Sequence, residues 1–249
     1  MAQSVAFSRA PFGMVNLRHA QHVCRADLLT RLDIARKFVA LKVGSQLRLQ
    51  RDLGLRPARP EAALIKGLEA AGDASSLRGV EGAFASEHFE ALAKALPANW
   101  GFKHRNRRPP RDPFNALLSL GYTLAQEESS RLALRVGLDL EVGFLHDLRS
   151  RRQSLALDLV EPARAAVESW LLRMIEAKAI APADFQDNAA DGCRLSKAGR
   201  HVLYANWFAH GQQASRTAAR PGLAMLLGVL RKHLDRKRLE KLGSEDEAD

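Results

Sequence analysis

The chain has 249 residues, enough for one large core or two modest domains, and needs no disulfide or metal staple to fold. Hydrophobic residues make up 46% and charged residues 27%, the balance of a soluble globular protein, and no apolar run reaches the roughly 20 residues of a membrane helix. Lysine and arginine outnumber aspartate and glutamate by 38 to 28, and the net charge of +10 points to a polyanionic partner. Met1 to Met14 carries neither an apolar signal core nor a small-residue cleavage site, so the reading is a cytoplasmic protein. Cys24 and Cys193 are the two cysteines and form no CxxC, so any metal must be held by oxygen and imidazole ligands.

The segment from Ser4 to Leu17 mixes Val5, Phe7, Phe12 and Val15 with Pro11 and Gly13, which predicts a short strand or two. From Asn16 to Leu53, Leu28, Leu32, Ile34, Ala35, Phe38, Val39, Leu41 and Val43 recur near the helical period, giving one long amphipathic helix or a helical pair. Leu55 to Pro60 reads as a linker. A helix is expected from Ser75 or Ser76 to Leu96, with Glu81 inside its apolar stripe. Pro97 to Pro113 is a basic loop with Trp100 and Phe102 in it. Helices follow at Asn115 to Gln126 and Glu128 to Val136, and then a short apolar stretch punctuated by Gly137 and Gly143 leads to His146. Ser154 to Ala177 is a further helix, with Val160, Ala163, Val167, Trp170, Leu171 and Met174 on its buried face. Beyond a break at Asp187 to Gly192 come a helix through Leu203 to Phe208, a basic helix from Leu223 to Leu242, and a frayed acidic tail from Gly243.

Few residues can carry chemistry. A carboxylate on an apolar stripe cannot stay unpaired, so Glu81 is either ion-paired to an arginine or bound to a metal. His146 is a hydrogen-bonded histidine or an imidazole ligand. Asp158 and Glu161, three residues apart, share a helix face; they form half of a metal site or a variant capping box with Asp158 as N-cap. Arg105, Arg107, Arg108 and Arg111, with Arg149, Arg151 and Arg152 near the acidic group, suit phosphate contacts better than inert surface.

Several motifs in order resemble one family: Arg78-Gly-Val-Glu81-Gly-Ala, the stretch from Arg107 to Tyr122, Gly143-Phe-Leu-His146, and Ser154-Leu-Ala-Leu-Asp158-Leu-Val-Glu161-Pro-Ala-Arg164. That family is the CRISPR-associated spacer-acquisition integrase. Lys42-Val-Gly-Ser-Gln46 is similar to its Lys-x-x-x-Gln helix, so the likeness runs from about Asn16 to the C-terminus. The resemblance implies that Glu81, His146 and Glu161 are metal ligands for magnesium or manganese, with Asp158 beside them. It also implies a homodimer, assembled around a small ferredoxin-like companion protein, that inserts short double-stranded DNA fragments into a CRISPR array by transesterification.

The expected fold is mainly α: a helical catalytic and DNA-binding domain over 18–249, with 184–249 as a C-terminal helical subregion, behind a strand-like remnant at 1–17. The family places a β-rich domain before the helices, where this sequence has room for a strand or two. Ser150-Arg151-Arg152 stands where the family has a Gly-Arg pair. Two other functions fit the same residues, a mobile-element integrase of identical chemistry and a DNA-binding scaffold whose carboxylates are merely ion-paired. Arg194-Leu-Ser-Lys-Ala-Gly-Arg200 also has the look of a winged-helix turn, but it offers no account of the acidic residues upstream.

Overall fold

A computed structural model describes residues 14–188 and 192–246. The described residues contain nine α-helices and one small two-stranded sheet, in line with a mainly α reading. The strand expectation for 1–13 lies outside them, whereas 14–17 are already helical, because α1 spans Met14–Ala26. The Asn16 to Leu53 stretch is the helical pair, broken at Asp27. Its carboxylate accepts from the Thr30 N–H (3.0 Å) and so caps α2, Leu28–Asp52.

α2 is the axis of the molecule, about 37 Å long at 1.5 Å per residue. One face carries Ile34 and Phe38 into a core shared with α1 and the last helix. Another carries Ala35, Val39, Val43 and Leu47 against α3 (Glu61–Ala70) and α4 (Ala74–Ala95). A third stripe is polar yet buried: Lys42, Gln46 and Gln50, one per turn. Leu28, counted among the periodic apolar residues, is 73% exposed on the first turn. α3 has no counterpart among the expected elements; its Leu64 and Leu68, four apart, close over α2.

The two helices expected over 115–136 are one, α5, Pro113–Arg135. Asp112 caps it by accepting from the Asn115 N–H (2.8 Å), with Pro113 in the first turn where no N–H is needed. Its polar middle does not break the helix, because the buried Glu128 is met by Arg131, Gln212 and Arg216. Conversely, Ser154 to Ala177 is not continuous. Pro162 removes a donor and divides it into α6 (Ser154–Val160), a 3-10 turn at Glu161–Ala163, and α7 (Arg164–Glu176).

α5 and α7 enclose the largest apolar cluster, built on Phe114, Leu118, Trp170, Leu171 and Trp207. Full burial of side chains of this size stabilises by about 1.5–3 kcal/mol each. Trp100 and Phe102 from the basic loop also point into this core, Phe102 meeting Phe114 edge to face with ring centroids 4.9 Å apart. The loop is thus pinned by its aromatics. Of the expected break at Asp187 to Gly192, 189–191 lie outside the described residues, and its ends belong to an antiparallel strand pair, β1 (Phe185–Asn188) with β2 (Gly192–Leu195), in which Phe185 faces Leu195. The winged-helix candidate is the end of β2 followed by α8 (Lys197–Asn206), capped by Ser196. A π-helical turn at Trp207–Gly211 leads into α9, Gln212–Asp246, which absorbs the expected basic helix and runs into the segment expected to fray. Among the described residues, no helix is long and apolar enough to cross a membrane.

Candidate functional site

The segment from Gly137 to Gln153 between α5 and α6 has no regular structure, yet it is held from three sides. Gln21 of α1 donates to the carbonyls of Asp139 and Val142 (both 2.8 Å) and accepts from the Asp139 N–H (2.9 Å). Arg31 of α2 donates to the Phe144 carbonyl (3.1 Å) and pairs with Asp147. Phe144 itself is fully buried against α6. Gly143 passes so close to α6 that a Cβ there would lie 2.6 Å from the Ser154 carbonyl carbon, so only glycine fits this contact.

Asp158 completes the attachment. It is fully buried inside α6, and its carboxylate accepts from the backbone N–H groups of Leu145 (3.1 Å) and His146 (3.0 Å), from that of Phe144, and from His146 Nδ1 (2.7 Å). The capping-box reading of Asp158 and Glu161 is therefore corrected: Gln153, not Asp158, precedes α6, and Asp158 caps a loop rather than its own helix. With Nδ1 engaged, the His146 ring has Nε2 left for a ligand.

Glu161 lies one turn further, 3% exposed, on the 3-10 turn. Arg164 grips it through two parallel bonds of 2.7 Å, and the Lys42 ammonium approaches it at 2.8 Å. Lys42 also contacts Glu81 across from α4, so the two glutamates bracket one cation. Burial works to raise the Glu161 carboxyl, but Arg164 and Lys42 outweigh it and hold the group far below the usual carboxylate range. Glu81 has the ion-pair partner that its position on the apolar stripe demands, a lysine where an arginine was expected.

These groups share a pocket of about 380 Å³, lined by Lys42, Glu81, His146 and Glu161 and by Arg78, Arg107, Arg149, Arg152 and Arg164. Among the described residues, no three His, Cys, Asp or Glu side chains stand close enough together to hold a metal as they are placed. The two glutamates converge on Lys42, and His146 is turned toward Asp158. The donor types nonetheless suit a hard divalent ion: two carboxylates already surrounding one cation, with an imidazole in the same pocket. A larger, mostly apolar cleft of about 800 Å³, lined by residues including Leu53, Trp100 and Ile175, lies elsewhere and has Glu176 as its one carboxylate among the described residues.

The arginines divide. Arg107, Arg149 and Arg152 face the pocket, while Arg108, Arg111 and Arg151 are exposed and do not line it. Arg105 is drawn inward: its guanidinium donates to the Asn115 side-chain oxygen (2.8 Å) and the Ser119 hydroxyl (3.0 Å), and burial pushes its pKa down to about 10.

Behind the pocket lies a buried polar cluster that sequence reasoning missed. Glu168 of α7 accepts from Gln46 (2.8 Å), Tyr122 (2.6 Å) and His88 (2.8 Å), and Gln50 holds the other ring nitrogen of His88 (2.9 Å). Arg164 stacks 4.5 Å above the Tyr122 ring, which joins this cluster to Glu161. The signal was present in the polar stripe of Lys42, Gln46 and Gln50 on an otherwise apolar helix, of which only Lys42 and Gln46 had drawn notice.

With this geometry in view, the sequence pattern of the family described as CRISPR associated protein Cas1 matches residues 5–208. The chain belongs to the Cas1 family. It is 39% identical over 183 residues to a CRISPR-associated endonuclease Cas1 of Thermus thermophilus, covering 73% of this chain and 55% of the relative. A second, from Thermodesulfovibrio yellowstonii, is 42% identical over 136 residues, covering 53% and 43%. The chain thus spans about half the length of these curated relatives. Among solved structures, a casposase bound to integration product superposes with a TM-score of 0.77 at 24% identity, over 88% of this chain and 66% of that one. A Cas1 protein from Thermotoga maritima gives 0.77 at 23%, over 89% and 73%. These two likenesses establish the fold alone. A Cas6-RT-Cas1–Cas2 complex gives 0.72 at 25%, over 87% and 26%.

The buried cluster predicts an acid-sensitive step. Burial works to raise the Glu168 carboxyl, but His88, Tyr122 and Gln46 lower it below its ordinary 4.5. A carboxyl that binds its proton less tightly when folded adds stability above the unfolded value and loses it as pH falls below about 4.5. Glu168→Gln lowers the melting temperature at pH 7 and flattens the acid limb of a melting-temperature profile; an unchanged limb contradicts this.

Proposed function

We propose that this chain is the helical catalytic part of a divalent-metal-dependent DNA strand transferase that inserts short duplex fragments into a CRISPR array. The observation that carries the reading is the convergence of Glu81 and Glu161 on a single cation position in an arginine-rimmed pocket. Membership of the Cas1 family, whose relatives bear the name endonuclease, supports it.

In this reading Glu81, Glu161 and His146 Nε2 would hold a magnesium or manganese ion. Such an ion would supply Lewis-acid activation of the scissile phosphate for its transesterification by an incoming 3′-hydroxyl. The protein's own contribution is placement and charge. Asp158 is a positioning residue: by accepting three backbone N–H bonds and His146 Nδ1, it fixes where the imidazole stands. Arg107, Arg149 and Arg152 neutralise phosphate charge as it builds in the transition state. Arg164 keeps Glu161 ionised and oriented. A homodimer and a small ferredoxin-like companion complete the proposed assembly, the latter supported by the Cas1–Cas2 complex among the structural neighbours.

One observation favours a second reading. Glu81 and Glu161 are both ion-paired, as they would be in a DNA-binding scaffold that performs no chemistry. A strand-transfer assay on branched DNA with manganese separates the two. The first reading expects Glu81→Gln, His146→Ala and Glu161→Gln to fall to background and Asp158→Asn to lose about 10- to 100-fold. A wild-type chain that binds DNA yet transfers nothing selects the scaffold, whereas full activity in His146→Ala removes His146 from the first reading's ligand set.

DNA binding sorts the arginines independently. Arg107→Ala weakens binding and reduces the log–log salt slope by about one counterion. Arg105→Ala leaves the slope unchanged and lowers the melting temperature, because its side chain is bonded to α5. Equal slopes for Arg107→Ala and wild type contradict the assignment.

A further inference from the structure

Lys42 stands between the two glutamates, yet the proposed chemistry does not use it. It comes from the middle of α2, with its side chain 5% exposed, and its ammonium lies between carboxylates from two other elements, Glu81 on α4 and Glu161 on the 3-10 turn. A buried lysine requires ion partners and hydrogen-bond acceptors, and these two glutamates supply both. The same two carboxylates are the oxygen donors expected to hold a divalent ion. One space between two acidic groups cannot accept an ammonium and a divalent ion together, because two cations in contact inside a protein repel strongly.

We propose that Lys42 is the resident counter-cation of the site, filling the position between Glu81 and Glu161 until a divalent ion takes it, so that the two cations exclude each other. This rests on the metal-site reading of Glu81 and Glu161 given above. The consequence for stability is direct. With no ion bound, Lys42 of α2 keeps Glu81 on α4 and Glu161 on the 3-10 turn from repelling each other, so the fold does not depend on metal. The consequence for binding is a competition: a divalent ion must displace an ammonium already held by both ligands. There is somewhere for that ammonium to go, since Lys42 lines the same pocket as Arg107 and Arg149. Displaced into it, Lys42 adds a positive charge where a DNA phosphate lies.

The test uses the full chain and manganese as the probe. Manganese affinity is read by calorimetry for wild type and Lys42→Met, and the reactivity of Lys42 toward an amine-acetylating reagent is read by mass spectrometry with chelator and with manganese, the exposed Lys37 serving as reference. The expected results are manganese binding roughly tenfold tighter in Lys42→Met, a lower melting temperature of that variant in chelator that manganese restores, and a wild-type Lys42 protected in chelator but acetylated with manganese. Unchanged or weaker manganese binding in the variant overturns the proposal, as does a Lys42 that stays protected when manganese is bound. If Lys42→Met does not fold, the labelling of wild type decides. Wild type and Lys42→Met both failing to bind manganese would instead overturn the metal-site reading itself.

Discussion

Three carboxylates from one short segment, Asp158, Glu161 and Glu168, are carried into the interior of the molecule, and an unpartnered charge there costs several kcal/mol. Each is met by a different part of the chain. Asp158 takes the loop before α6, Glu161 takes Arg164 and Lys42, and Glu168 takes Gln46, Tyr122 and His88. The polar stripe of α2 exists because of this demand. Lys42 and Gln46 answer Glu161 and Glu168 directly, and Gln50 does so through His88. The site and the core around it are therefore one arrangement: the bonds that hold the acidic residues also hold α2, α4, α5 and α7 in register.

That dependence explains the placement of His146. A histidine on an irregular loop has no fixed direction of its own. Here Gln21 and Arg31 hold the loop from outside, Gly143 lets it lie against α6, and Asp158 binds its N–H groups from within. The ring is fixed through the backbone as well as through Nδ1. Pro162 contributes in the same way, since the turn it enforces is where Glu161 emerges toward Lys42 and Glu81.

Much of this was legible in the sequence. The α1–α2 pair, α4, the buried face of the α6–α7 stretch, and the need of Glu81 for a partner followed from periodicity and from the cost of burying charge. What was not legible depended on partners distant in the chain. The polar middle of α5 read as a break because nothing local reveals that Glu128 meets Gln212 and Arg216 of α9. Arg105 read as a phosphate contact because its neighbours in sequence are exposed arginines, while its partners Asn115 and Ser119 lie on the next helix. Asp158 read equally as half of a metal site or as a helix cap, because its spacing to Glu161 fits both, and only the return of the loop shows what it binds. The same limit hid Glu168 and His88, whose side chains meet 80 residues apart.

The central claim is that Glu81, Glu161 and His146 form one divalent-cation site with Asp158 as its support. Anomalous diffraction from a crystal of the chain soaked in manganese tests it most directly. The account predicts a single strong peak about 2.1 Å from oxygens of Glu81 and Glu161 and from His146 Nε2, with Asp158 outside the coordination sphere and still bonded to His146 Nδ1. A peak held by other residues, or no peak in this pocket at manganese concentrations that support strand transfer, would contradict it.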